Sequence, residues 1–251
     1  MEFAKTPQDL PPAVEEGLTV VDPVPGIAKT LAPDVSFAPA PSIPVYLARH
    51  GETESNRRRR YAGYDSEPLN AAGRGQMGGL AARLGRSGIG EIWTSEVARA
   101  RESAELVAAI LGVPVRTEPR LNEIRMGPWE GLTEVEVAQR FPNEHALWCT
   151  LPDRLELAGR ETLGALANRV FGAITDAARA PRPVLVMSHV APIRVAVLTA
   201  LGVPLSNYKR LHVANSDAVM LDLAQNKAAR VGDGGALQVD MPLFGKESSL
   251  A

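Results

Sequence analysis

Two histidines and two arginines stand where apolar runs meet polar turns. Arg49 and His50 follow Val45-Tyr46-Leu47-Ala48, Arg99 comes shortly after Ile92-Trp93-Thr94, and His189 follows Val184-Leu185-Val186-Met187-Ser188. A neutral imidazole nitrogen is a competent nucleophile toward phosphorus when its other nitrogen is held by an acceptor. A guanidinium is a planar fork that matches two phosphate oxygens. With a carboxyl group to move a proton, as at Glu123 in Leu121-Asn122-Glu123, these groups could meet on one phosphate-sized anion. They are the types that phosphoryl transfer through a phosphohistidine requires. Taken singly, each has a blander reading: His50 as a satisfied core histidine, Arg99 as a solvated residue of an amphipathic helix.

The elements that must position them alternate between two periods. Short apolar runs over 45–48, 91–95, 113–116 and 184–187 read as buried strands. Helical patterns run from an Asn70 cap to Leu84, over 97–111 with Gly112 as terminator, and over 133–139, 161–178 and 192–201. A last strand over 218–223 would close the sheet. Strands separated by helices imply parallel pairing, so the expected fold is a three-layer α/β/α sandwich with a mostly parallel central sheet. In such sheets ligands lie beyond the carboxyl ends of the strands, where Arg49, His50, Ser95 and His189 fall.

Residues 1–42 are rich in proline and alanine, as in Phe37-Ala38-Pro39-Ala40-Pro41, and read as an irregular extension ahead of a domain over 43–251. Hydrophobic content of 45% and charged content of 22% are ordinary for a globular chain. A net charge of -2 gives no footprint for nucleic acid, and no apolar run spans a bilayer. The single cysteine, Cys149, cannot form an internal disulfide, and the first residues lack a secretory pattern, so a cytoplasmic location is expected. No cysteine, histidine and carboxylate set shows metal-ligand spacing, and His145 and His212 read as structural.

In order along the chain come Arg49-His50-Gly51-Glu52-Thr53 with Asn56, Tyr61-Ala62-Gly63-Tyr64-Asp65, Ser95-x-x-x-Arg99-Ala100-x-x-Ser103-Ala104, and Leu121-Asn122-Glu123 with Gly127-Pro128-Trp129-Glu130-Gly131; Ser188-His189 follows. This series resembles the histidine phosphatase superfamily, also called phosphoglycerate-mutase-like, over about residues 45–223. The resemblance implies that His50 is phosphorylated and that Arg49, Asn56, Arg99 and His189 hold the phosphoryl oxygens. It further implies that Gly63 lies near the ligand and that Glu123 serves as the acid, with Glu130 and Glu52 as lesser rivals. The implied activity is a metal-independent, cofactor-free phosphomonoesterase acting on a small phosphorylated metabolite. Mutase-type transfer and a non-catalytic anion-binding protein are the alternatives. Two departures stand out: Ala62 replaces a frequent hydroxyl residue, and Val190-Ala191-Pro192 replaces a frequent Gly-Gly. Arg57, Arg58, Arg59 and Arg60 read either as a solvated loop or as a rim that attracts a second anionic group.

Because the extension lacks a sustained apolar face, deleting residues 1–40 is expected to leave p-nitrophenyl phosphate turnover and the melting temperature essentially unchanged. A large fall in either would show that the extension packs on the domain or covers its pocket.

Overall fold

The computed structural model describes residues 43–232 and 237–238, so the expected extension over 1–42 lies outside them. Its centre is a mixed seven-stranded sheet of order β3-β2-β4-β1-β5-β6-β7. The strands are β1 (Val45–Arg49), β2 (Glu91–Thr94), β3 (Val115–Thr117), β4 (Val184–Ser188), β5 (Ala218–Asp222), β6 (Lys227–Val231) and β7 (Leu237–Gln238). β3, β2, β4 and β1 run parallel, as the alternation of strands and helices implies. β5 joins β1 antiparallel and is not the last strand, because a tight return brings β6 and then β7 alongside. That return was illegible in the pattern, since 227–231 mixes lysine and arginine with alanine and valine.

The helices are α1 (Glu54–Arg57), α2 (Ala71–Leu84), α3 (Ala98–Leu111), α4 (Glu134–Arg140), α5 (Pro142–Thr150), α6 (Leu163–Ala177) and α7 (Val190–Ala200). The short α1 and α5 were not expected, and α7 begins two residues earlier than its pattern indicated. Pro192 is its third residue, where a missing N–H costs nothing because first-turn donors have no intrahelical partner.

Strand periodicity sorts the core into two layers. Val45, Leu47, Val184, Val186, Trp93, Val219 and Leu221 pack on one face with α6 and α7. Tyr46, Ala48, Leu185, Met187, Ile92 and Ala218 pack on the other with α2 and α3. Successive side chains of a strand point to opposite faces, so β1 serves both layers. α6 buries Leu163, Leu166, Ala167, Val170, Ala173, Ile174 and Ala177 at helical spacing.

The loop after β1 is pinned where it crosses α2. Asn70 caps α2 by accepting from Gly73 N–H at 2.8 Å and donates to Glu52 Oε1 at 2.7 Å. Its own N–H bonds Glu52 carbonyl at 3.0 Å. A methyl group added to Gly51 would overlap the Gly73 carbonyl, and one added to Gly73 would overlap Glu52 backbone. Gly73→Ala is therefore expected to lose about 1–3 kcal/mol, the usual cost of overpacking, and to displace the residues after β1. Urea unfolding measures this; an unchanged midpoint would show that the loop yields freely.

Candidate active site

The parallel register of β1 and β4 builds the site. Arg49 lies opposite Ser188, and His50 N–H donates to the Ser188 carbonyl at 3.0 Å. The next residue of each strand is then a histidine. The His50 and His189 rings meet edge to face with centroids 5.1 Å apart.

His50 is buried, and its Nδ1 lies 2.7 Å from the Gly51 carbonyl. A carbonyl can only accept, so Nδ1 carries the proton and Nε2 presents a lone pair. Arg99 Nε donates to that nitrogen at 3.2 Å. Burial foremost, then the Arg99 and Arg49 guanidiniums, hold the imidazole well below its usual pKa, so it is neutral at pH 7.

Arg99 sits in the first turn of α3 with its side chain wholly buried. Nη2 donates to Gly63 carbonyl at 2.9 Å, and Nη1 pairs with Asp65 Oδ1 at 3.1 Å. One turn on, Ser103 Oγ donates to Arg99 carbonyl at 2.7 Å and accepts from Gly51 N–H at 3.1 Å. Ser103 thus ties the histidine loop to the arginine helix. Arg49 donates through Nη1 to Val213 carbonyl at 2.8 Å, while its buried Nε has no partner among the described residues. Desolvation lowers its pKa to about 10, which leaves it charged at neutral pH.

The tautomer of His189 follows from its neighbours. Asn122 Oδ1 accepts from Glu96 N–H at 2.8 Å and from Ser95 Oγ at 2.9 Å. With its one proton committed to Asn122, Ser95 Oγ must accept from His189 Nε2, 2.8 Å away. In the neutral ring the buried Nδ1 then carries a lone pair, with no partner among the described residues. Burial, Arg99 and the other histidine keep this imidazole neutral as well.

Glu123 is buried and accepts at Oε1 from Ile124 N–H at 2.8 Å. Burial pushes its carboxyl pKa up, outweighing the pull of Arg99 and Arg49, so it holds a proton at higher pH than an ordinary glutamate. Glu130 is exposed and packs its carboxylate against the Gly63 Cα, and Glu52 is engaged with Asn70. Asn56 closes the capping box of α1 with Thr53 and accepts from Asn215 Nδ2 at 3.0 Å. Its Oδ1 is committed within the loop, and Nδ2 is the group that can donate outward.

Two residues without a sequence signal, Arg169 and Asn215, complete the frame, together with Asp65 from the segment that begins at Tyr61. Arg169 on α6 donates to the carbonyls of Arg120 and Asn122 at 2.8 Å each and of Glu123 at 2.9 Å. Its fork is gripped in turn by Glu161 at 2.7 and 2.8 Å. Asn215 bridges His50 carbonyl and Asn56, and Asp65 pairs with Arg99. Beside the acid loop lies a cavity of about 590 Å³ lined by Tyr64, Asn122, Arg125, Arg160 and Arg169 among others. The arginine run does not border it: Arg57 and Arg58 both pair with Glu54, and Arg60 bonds Gly131 carbonyl and Glu136.

The sequence pattern of the histidine phosphatase superfamily (branch 1) matches residues 45–232, and the chain belongs to that family. Phosphoserine phosphatase 1 of Hydrogenobacter thermophilus is 29% identical over 187 residues, covering 74% of this chain and 89% of the relative. A probable phosphoglycerate mutase, GpmB of Proteus mirabilis, is 34% identical over 186 residues, covering 72% and 85%. Among solved structures, a mycobacterial glucosyl-3-phosphoglycerate phosphatase complexed with VO3 superposes with a TM-score of 0.66 at 26% identity. That match covers 72% of this chain and 91% of its own. The chain is therefore a phosphoryl-transfer enzyme of the histidine phosphatase class.

Arg169→Met is expected to lower kcat on phosphomonoesters by about tenfold to a hundredfold with little change in KM, because ~1 Å of misplacement is worth that much. Arg169→Lys should restore only part of the loss, since one ammonium cannot serve three carbonyls. Wild-type kcat in the methionine variant would show that the acid loop stands without this clasp.

Proposed function

We propose that this protein is a metal-independent phosphomonoesterase that hydrolyses a small phosphorylated metabolite through a phosphohistidine at His50. The observation that carries the reading is the fixed His50 tautomer: Nδ1–H on Gly51 carbonyl, and a lone pair on Nε2 facing the Arg99 and His189 cluster. The Nε2 lone pair attacks phosphorus and the ester P–O bond breaks as Glu123 gives its proton to the leaving oxygen. Glu123, now a carboxylate, takes a proton from water as that water attacks phosphorus, and the His50–phosphorus bond breaks. Both groups return to their starting states. Arg99 swings its Nε–H from the imidazole to a phosphoryl oxygen, joined by Arg49 and the amide nitrogen of Asn56. His189 Nδ1 accepts the proton of a monoanionic ester and returns it as a charged hydrogen bond. Preorganised donors of this kind are worth about 3–4 kcal/mol each.

The leaving group, on this reading, carries a second anionic charge. The Arg125 guanidinium lies over Tyr64 and forms no ion pair among the described residues, and Arg160, stacked over Trp129 and Trp148, keeps Nε and Nη2 without hydrogen-bond partners there. The second reading is mutase-type transfer, supported by relatives named as probable phosphoglycerate mutases. A 3-phosphoglycerate isomerisation assay separates the two. A purely anion-binding role is disfavoured because it needs the guanidiniums but not a buried, proton-holding Glu123.

Rapid-quench trapping with radiolabelled substrate is expected to place acid-labile phosphate on His50; label elsewhere overturns the nucleophile. kcat/KM should rise with pH as His50 loses its proton, a limb lying below the usual imidazole value of 6.5. It should fall as Glu123 loses its own, a limb lying above the usual 4.5. Glu123→Gln should remove the falling limb and cut kcat/KM, which reports the step in which the leaving group departs, by about 10²–10⁴ on alkyl phosphates. The loss should be much smaller for p-nitrophenyl phosphate, whose leaving group needs little protonation. Equal losses on both substrates would remove Glu123 from the acid role.

A further inference from the structure

α4 and α5 form a tight pair whose chain reverses at Phe141, which ends one helix and begins the next. That reversal brings Glu134, the first residue of α4, against His145 and Cys149, which share a face of α5 four residues apart. His145 Nε2 lies 3.3 Å from Glu134 Oε1 and 3.6 Å from Cys149 Sγ, and the three donor atoms all fall within 4.8 Å of one another. Ligand bonds of about 2.0–2.2 Å to nitrogen and oxygen and about 2.3 Å to sulfur, at a tetrahedral angle, give edges of about 3.4 Å (N to O) and about 3.6 Å (S to N). The trio already has two edges of a tetrahedral coordination shell. The site also already draws a cation: the Lys209 ammonium lies 3.4 Å from Cys149 Sγ and 3.5 Å from Glu134 Oε1.

We propose that Glu134, His145 and Cys149 form a binding site for one borderline-soft divalent transition-metal ion of the zinc type, with water as fourth ligand. The thiol and imidazole select against the hard ions magnesium and calcium, which take oxygen shells. Glu134 keeps a half-exposed side chain, which leaves the water position open to solvent. On binding, the Cys149 S–H bond breaks, its proton goes to solvent, and the sulfur lone pair forms the metal bond; no electron is transferred. Lys209, on a flexible and partly exposed stem, withdraws. The bound ion ties the start of α4 to the end of α5. None of the three ligands belongs to the cluster around His50, so this ion is separate from the hydrolytic chemistry. Sequence spacing concealed the trio because Glu134 lies eleven residues from His145 and meets it only after the chain reverses.

The test uses the full chain, reduced and stripped with chelator, titrated with Co²⁺ alone. The expected result is one ion per chain with a near-ultraviolet thiolate-to-cobalt charge-transfer band. Cys149→Ser, nearly isosteric, should abolish the band while keeping the wild-type circular dichroism. His145→Ala should weaken binding at least about tenfold, a loss already seen for outer-shell partners. Lys209→Met, which removes the competing charge, should tighten it about fivefold, as one unit charge at ~4 Å in water implies. Zn²⁺ should raise the melting temperature of the wild type and not of Cys149→Ser. Absence of the band, or unchanged affinity in His145→Ala, overturns the site. Chelation should leave hydrolysis of p-nitrophenyl phosphate unchanged; lost hydrolysis with an intact cobalt site would overturn the metal-free reading of His50 instead.

Discussion

Holding Arg49 and Arg99 out of water beside two imidazoles is the constraint on which the rest of the structure depends. Guanidiniums remain charged even when desolvated, as the pKa of about 10 for Arg49 shows. Imidazoles can instead give up the proton, and repulsion together with burial makes both His50 and His189 do so. The same cluster that needs an anion therefore prepares the neutral nitrogen that could attack one. A phosphate group entering it would offset the positive charge, restore partners to buried donors such as Arg49 Nε, and let His189 take up a proton.

Such a cluster works only if its geometry is held by groups that do not take part in the reaction. Main-chain carbonyls perform most of that duty. Gly51 carbonyl fixes the His50 tautomer, Gly63 carbonyl fixes the Arg99 fork, and Val213 carbonyl holds Arg49. Arg169 reverses the arrangement, one side chain gripping three carbonyls of the single stretch that ends at Glu123. Ser95, Asn122 and Glu96 form a chain of bonds in which each proton position is dictated by the next. The carboxyl group of Glu123 is buried on the loop so held, and burial is what separates it from Glu130 and Glu52.

The sequence by itself determined the family and the layer architecture. Val45 to Met187 supplies apolar strands that end at Arg49, Ser95 and His189, and these strands, split by helices, pair in parallel with their carboxyl ends together, whereas β5 also follows a helix yet pairs antiparallel. The helices α2, α3, α6 and α7 were legible because burial imposes a period of 3.6 on their apolar residues. The antiparallel return of β5 into β6 was not, since 227–231 mixes lysine and arginine with alanine and valine and follows no sharp strand rule. Tertiary structure alone decided which groups hold the site. Arg169 meets carbonyls 46 to 49 positions away, and Asn215 meets His50 from 165 positions away. Every residue carries a carbonyl, so no local pattern marks the one an arginine will find. The same reason hid Glu134 from His145 and Cys149: proximity across a chain reversal is a property of packing, and spacing along the chain does not encode it.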